Sequence, residues 1–275
     1  MIATYHPAPV LRVEQVSLTL GGNVILRDVS CMIRDIVGRG QVVGLLGPSG
    51  IGKTQFFRIL AGLQQPNTGR VLLNAAGTPV RVGEVGVVMQ HYPLFADRTV
   101  LQNCMDAGRR AGMDRAAAAT RATELLTKLA VADRAEYYPA LLSGGQRQRV
   151  AIAQQLMCSQ YFLLMDEPFS GLDPEAVDTV CELIHDIAGM HELNTIVVVT
   201  HDIRAAMKVA DELWLMGLDR AADGAFVPGA RVQTTYDLVA RNLAWAPDVS
   251  RRPEFDALYH EVRERFRTLK PKPIT

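Results

Sequence analysis

The sequence predicts an α/β fold: a core with a parallel sheet, preceded by an antiparallel β region and interrupted by an inserted α-helical lobe. Three observations predict it. The short apolar runs at residues 42–46, 162–165 and 195–199 are each followed by a helical pattern, the βαβ rhythm that lays strands parallel. Near-alternate Val13, Val16, Leu18 and Leu20 run into Gly21-Gly22-Asn23 and then Val24-Ile25-Leu26, the pattern of a hairpin. Residues 99–157 are Ala- and Leu-rich at helical spacing, with no strand pattern between them.

In chain order, the hairpin leads to the strand at 42–46, a Gly-rich loop and a helix over 53–63, which Gln-Gln-Pro-Asn-Thr-Gly ends. Strand-like runs return at 71–73 and 85–89. The helical stretch follows, then a strand from 162, a helix over 174–188, a strand over 195–199 and a helix over 203–210. After Asp219 the reading is a Gly/Pro-containing loop and a terminal charged helix, EFDALYHEVRERFRTL. This gives one domain over 1–275. A core with its β region occupies 10–92 and 160–220, the helical lobe 93–159 and a C-terminal extension 221–275.

Bulk properties exclude some functions. Lys plus Arg and Asp plus Glu are both 29, so no net charge draws the chain to nucleic acid or anionic lipid. Cys31, Cys104, Cys158 and Cys181 are dispersed singly and read as reduced packing residues, matching no zinc spacing or redox pair. The first residues carry no secretory leader pattern, and runs such as VVGLL and TIVVV fall far short of the ~20 residues that span a bilayer. A partner would do any spanning.

Residues 47–54, GPSGIGKT, fit G-x-x-x-x-G-K-[ST] between a strand and a helix, the context a phosphate-binding P-loop requires. Backbone amides of Gly47, Pro48 and Ser49 through Gly50, Ile51 and Gly52 can line phosphate oxygens, with proline contributing only its fixed φ. Lys53 offers a point charge to the β- and γ-phosphates, and Thr54 is placed to hold Mg²⁺. The bland alternative is a Gly-rich turn beside a surface lysine. FLLMDE at 162–167 puts two carboxylates at the end of an apolar strand, where an α/β sheet meets its ligand. Asp166 would reach Mg²⁺, and Glu167 would orient or deprotonate the attacking water. Taken alone, the same pair is equally a helix cap.

LSGGQ at 142–146, followed by RQRVAIA, FLLMDEP and SGLD, resembles the signature region of ABC ATPases, over about residues 10–220. The resemblance implies a P-loop NTPase core and ATP with Mg²⁺. Gln90 would be the Q-loop glutamine in the Mg²⁺ shell, Asp173 the D-loop aspartate and His201 the switch histidine. It also implies that Ser143, Gly144, Gly145 and Gln146 close over ATP held by another subunit, so that a homodimer, or a pair with a related ATPase, sandwiches two nucleotides. On their residues alone, His201 reads first as a structural strand-end histidine and Gln90 as simply a polar residue after a strand. By the same resemblance the helical lobe docks on transmembrane permease subunits, peripheral on the cytoplasmic face of the cell membrane; the residues alone also allow a lobe that only completes a core. VVMQHYPLFADRTVLQN is similar to solute importers of the nitrate, sulfonate and taurine kind, which adds an external solute-binding protein as a partner. Nucleic acid is not expected. An ABC ATPase of nucleic acid or the ribosome is the alternative, but such members carry inserted coiled coils, zinc modules or a second cassette. A regulator with a dead site conflicts with Lys53, Thr54, Asp166, Glu167 and His201. Two positions depart from the family pattern: Leu20 stands where an aromatic usually meets adenine, and Gln154 where an arginine is usual.

Overall fold

In the computed structural model, which describes residues 4–74, 76–159, 161–245 and 248–270, a single ten-stranded sheet organises the chain. Its strands are β1 (Tyr5–Leu20), β2 (Asn23–Ile36), β3 (Gln41–Leu46), β4 (Thr68–Leu73), β5 (Thr78–Pro79), β6 (Gly86–Val88), β7 (Phe162–Asp166), β8 (Thr195–Thr200), β9 (Glu212–Arg220) and β10 (Phe226–Asp237). The helices are α1 (Lys53–Leu60), α2 (Val100–Arg110), α3 (Arg115–Lys128), α4 (Gly144–Leu156), α5 (Pro174–Gly189), α6 (Ile203–Val209) and α7 (Pro253–Thr268). The strand order is β5-β4-β1-β2-β10-β9-β3-β8-β7-β6. From β9 to β6 all pairs are parallel, while β1 pairs antiparallel with β2 and β4.

Side-chain alternation along the central strands separates two cores. Val43 and Leu45 of β3, Leu164 of β7, Val197 and Val199 of β8 and Trp214 of β9 face one side, where α1 lies. Leu163, Met165, Ile196 and Val198, one residue out of step, face the other, where α2–α5 pack. The antiparallel half turns Val13, Val16, Leu18, Leu26 and Ile33 onto the same α1 side. Phe56, Phe57, Ile59 and Leu60 of α1 are thereby all buried, each worth about 2 kcal/mol of transfer free energy. A third core joins α6 and α7 to β9 through Leu213, Leu215, Phe255, Leu258 and Val262.

Two expectations need correction. The helix predicted to reach residue 63 ends at Leu60, because Gly62 takes φ +72° and the Leu63 N–H returns to the Arg58 carbonyl at 2.8 Å. The stretch after Asp219, read as loop, is the second half of a hairpin: β10 pairs antiparallel with β9 and touches β2 in parallel at Ala230 and Leu26. Pro228 and Gly229 disguise it. They sit at a register shift, and a Cβ on Gly229 (φ +90°) would come within 2.7 Å of Arg27 Cβ and Val24 Cγ1. Only glycine permits that approach, which closes the antiparallel region and the parallel core into one sheet.

Candidate nucleotide site

β3, buried throughout and flanked by β8 and β9, delivers residues 47–54 to the C-terminal edge of the parallel sheet. Gly47 is dictated by packing, since a Cβ there would lie 2.9 Å from the Met216 carbonyl oxygen. Gly50 and Gly52 take φ +77° and +110°, the left-handed region other residues avoid. Ile51 is buried and anchors the loop, whereas Ser49, Gly50 and Thr54 are exposed.

The start of α1 differs from most other helices. Thr99, Asp114, Ser143, Asp173 and Asp202 each cap their helix with a side-chain oxygen, but Gly52 offers none. The first intrahelical bond is Phe56 N–H to the Gly52 carbonyl, so the earlier amides of α1 keep their donors for a ligand at the helix's positive end. Lys53 is buried beside them. Its Nζ donates to the Gly47 carbonyl at 2.7 Å and to that of Pro48 at 3.4 Å, and stands 3.9 Å from Glu167 Oε1. Burial lowers its pKa, Glu167 and then Asp166 oppose that, and Lys270 adds to it.

Asp166 ends β7, half-buried opposite Val199 of β8. Burial raises its pKa, the adjacent Glu167 carboxylate raises it further, and Lys53 counters them. Glu167 adopts φ +48°, a strained value for a non-glycine residue, while its N–H is held by the Val199 carbonyl at 2.8 Å. Its side chain is gripped from β8: the Thr200 hydroxyl donates to Oε2 at 3.0 Å, and His201 Nδ1 lies 2.9 Å from Oε2 and 3.0 Å from Oε1. With the carboxylate ionised, Nδ1 carries the proton, and none of the described hydrogen bonds uses Nε2. Lys53, Asp166, Glu167 and His201, drawn from three strand ends, thus meet at one edge of the sheet.

Gln90, two residues beyond β6, donates from Nε2 to the Ser170 hydroxyl at 3.1 Å, beside the acidic strand end. The 143–146 segment does not join it. Ser143 and Gln146 form a reciprocal capping box at the start of α4, and a Cβ on Gly144 or Gly145 would meet nothing within 4 Å. None of the described hydrogen bonds or ion pairs links these residues to 47–54. Asp173 caps α5 by accepting the Ala176 N–H at 2.9 Å. Leu20 is exposed at the end of β1, and the turn that follows leads to Ile25, which packs where a Cβ on Gly52 would lie 3.1 Å from its Cγ2. Gln154 makes no ion pair; it is buried with Nε2 3.5 Å from Asn103 Oδ1.

Three residues the motifs did not reveal belong to this neighbourhood. Thr200 is buried and positions Glu167. Asn103, also buried, bonds the backbone of Phe95, Arg98 and Thr99 and so shapes the segment after Gln90. Lys270 donates to the Ser49 carbonyl. Thr54, Asp166 and Gln90 are hard oxygen donors of the kind Mg²⁺ takes. Among the described residues no group of three or more His, Cys, Asp or Glu could hold a metal by itself.

A family model described as ABC transporter matches residues 33–170. The arginine transport ATP-binding protein ArtM of Bacillus subtilis is 37% identical over 216 residues, covering 75% of this chain and 87% of that protein. The methionine import ATP-binding protein MetN of Brucella abortus is 35% identical over 215 residues, covering 75% of this chain and 57% of that one. The sulfate/thiosulfate import ATP-binding protein CysA of Thermosynechococcus vestitus is 38% identical over 212 residues, 75% of this chain and 61% of its own length. Against these last two, the chain spans little more than half of the longer relative. Among solved structures, cbiO1 of Clostridium perfringens, described as part of the ABC transporter complex cbiONQ, superposes with a TM-score of 0.72 at 24% identity. That match covers 93% of this chain and 99% of the other, and establishes the shared fold.

Proposed function

Because this chain belongs to the ABC transporter family and is an ATPase of that kind, we propose that it binds Mg-ATP at residues 47–54 and drives solute import through a separate membrane-spanning partner. The observation that carries the reading is the uncapped start of α1 beneath the glycine loop, with Lys53 buried between that loop and Glu167. Phosphate oxygens replace the loop carbonyls as the partners of Lys53 and take up the free amides of α1. The Thr54 hydroxyl, Asp166 and Gln90 would hold Mg²⁺, which when bound would neutralise charge on the β- and γ-phosphates.

Glu167 accepts a proton from water as the water oxygen bonds the γ-phosphorus and the bond to the β-γ bridging oxygen breaks, leaving ADP and phosphate. His201, through its contact with Glu167, fixes the carboxylate and reaches the γ-phosphate. Ser143 and the Gly144-Gly145 amides of a second copy, or of a related ATPase, close over the same nucleotide, since within one chain they stand apart from the loop. Leu20 packs on the adenine as an aliphatic face. Phosphate release removes the contacts that favour closure, and the pair reopens.

The lobe at 93–159 is the proposed docking face for the permease, moved by the segment after Gln90. Among the described residues no helix is long and apolar enough to cross a membrane. The relatives named for methionine import and sulfate/thiosulfate import support import; an external solute-binding protein upstream and a place for this chain on the cytoplasmic face complete the proposal. An affinity pull-down from detergent-solubilised membranes, using the Glu167→Gln variant with ATP, tests this. A co-purifying multispanning protein is the expected result, and recovery of ribosomes or nucleoprotein in its place would overturn it.

A further inference from the structure

Lys270 lies outside every motif, 221 positions beyond the loop it touches, yet its Nζ donates to the Ser49 carbonyl oxygen at 2.8 Å. The route to this contact is built into the fold. Phe255, Leu258 and Val262 bury α7 against β9 and α6. Beyond the helix, the Leu218 N–H donates to the Leu269 carbonyl at 2.8 Å. Leu269 fills the space above Gly217, where a Cβ would lie 2.6 Å from its Cδ2. The neighbouring Met216 carbonyl is the atom that excludes a side chain at Gly47. One end of β9 therefore holds both the start of the phosphate loop and the chain segment that presents Lys270.

The contacted peptide is the one that most needs holding. It joins Ser49 to Gly50, both exposed, and Gly50 sits at φ +77° with nothing within 4 Å of a Cβ position. A peptide beside such a glycine can flip with little steric resistance. In a trans peptide the C=O and the following N–H point in opposite directions, so a cation holding the Ser49 carbonyl fixes the Gly50 N–H on the other side.

We propose that Lys270 is a positioning residue of the ATP site, which locks the Ser49–Gly50 peptide so that the Gly50 amide faces the phosphate cradle. The inference rests on the reading of residues 47–54 as that cradle. It makes the C-terminal extension part of the nucleotide site, although no motif runs through it.

Equilibrium titration of the full chain with Mg-ATP tests it, comparing wild type with Lys270→Met, Lys270→Gln and Lys270→Arg. Loss of one partly solvated, charge-assisted hydrogen bond predicts a Kd roughly 3- to 10-fold higher for Lys270→Met. Arginine, which keeps a charged donor of at least equal reach, is expected to stay within about twofold of wild type, and neutral, shorter glutamine to fall between arginine and methionine. Unchanged affinity in Lys270→Met would overturn the proposal. Arginine binding as weakly as methionine would overturn it too, by showing that a charged donor to the Ser49 carbonyl is not what the side chain supplies. Wild-type protein that fails to bind Mg-ATP would instead remove the nucleotide reading itself, so the two failures are distinguishable.

Discussion

Glu167 occupies a backbone conformation that costs on the order of 1–3 kcal/mol, and it is held there by a β8 carbonyl, a buried threonine hydroxyl and a histidine ring. Such a grip suits a group that must meet a water at one angle. Glu167→Gln keeps the shape and loses the base, so phosphate release is expected to fall by at least about 100-fold while ATP binding persists; turnover within about twofold of wild type would remove the glutamate from that role. Thr200→Val removes one of the three holds and is expected to reduce turnover several-fold at unchanged ATP affinity, measured by steady-state kinetics beside binding. A different residue contributes to the pH dependence of stability. Burial raises the Asp211 pKa from 3.8 to about 6, against the opposing pull of the Arg39 guanidinium and the Val42 N–H. The folded state thus prefers the protonated form. The resulting stability is complete below pH 3.8, the unfolded value, and is lost as pH rises through about 6. Denaturant midpoints of wild type should carry this decline, and in Asp211→Asn it should be smaller, since burial raises Asp35, Asp166 and Glu212 as well; equal slopes in both would contradict the assignment. The site's motifs were legible because loop, lysine and paired carboxylates each depend on local spacing. Thr200 and Lys270 were not, because their partners lie 33 and 221 positions away.

Strands and helices with clean periodicity were legible: β3, β7 and β8 are continuous apolar runs, and α5 opens on Asp173-Pro174, a cap followed by proline at its first turn. β10 was hidden because Pro228 and Gly229, read locally, announce a turn, while their purpose is the close crossing over β2. Gly229→Ala therefore combines left-handed strain with a clash at 2.7 Å, expected to cost about 3 kcal/mol and lower the melting temperature by roughly 5–10 °C. Gly22→Ala, also left-handed but with nothing within 4 Å, carries only the strain of about 1 kcal/mol. Equal melting shifts for the two would show that the crossing does not constrain the sheet.

For the molecule as a whole, one chain carries the proposed phosphate cradle at the sheet edge and, apart from it, an exposed glycine-rich helix start at 143–145. With a formal net charge of zero the chain offers no net electrostatic pull toward a polyanion, and the proposed association rests on closure over nucleotide. Ser143→Arg is expected to leave Mg-ATP binding to the isolated chain intact while blocking closure, because in the proposed sandwich the residue serves the opposite subunit. The most direct test is the solution mass of the Glu167→Gln variant by light scattering in Mg-ATP, Mg-ADP and no nucleotide. A dimer in Mg-ATP alone, abolished by adding Ser143→Arg, is the predicted result; a monomer in all three conditions, at concentrations where ATP is demonstrably bound, would contradict the nucleotide-sandwich mechanism.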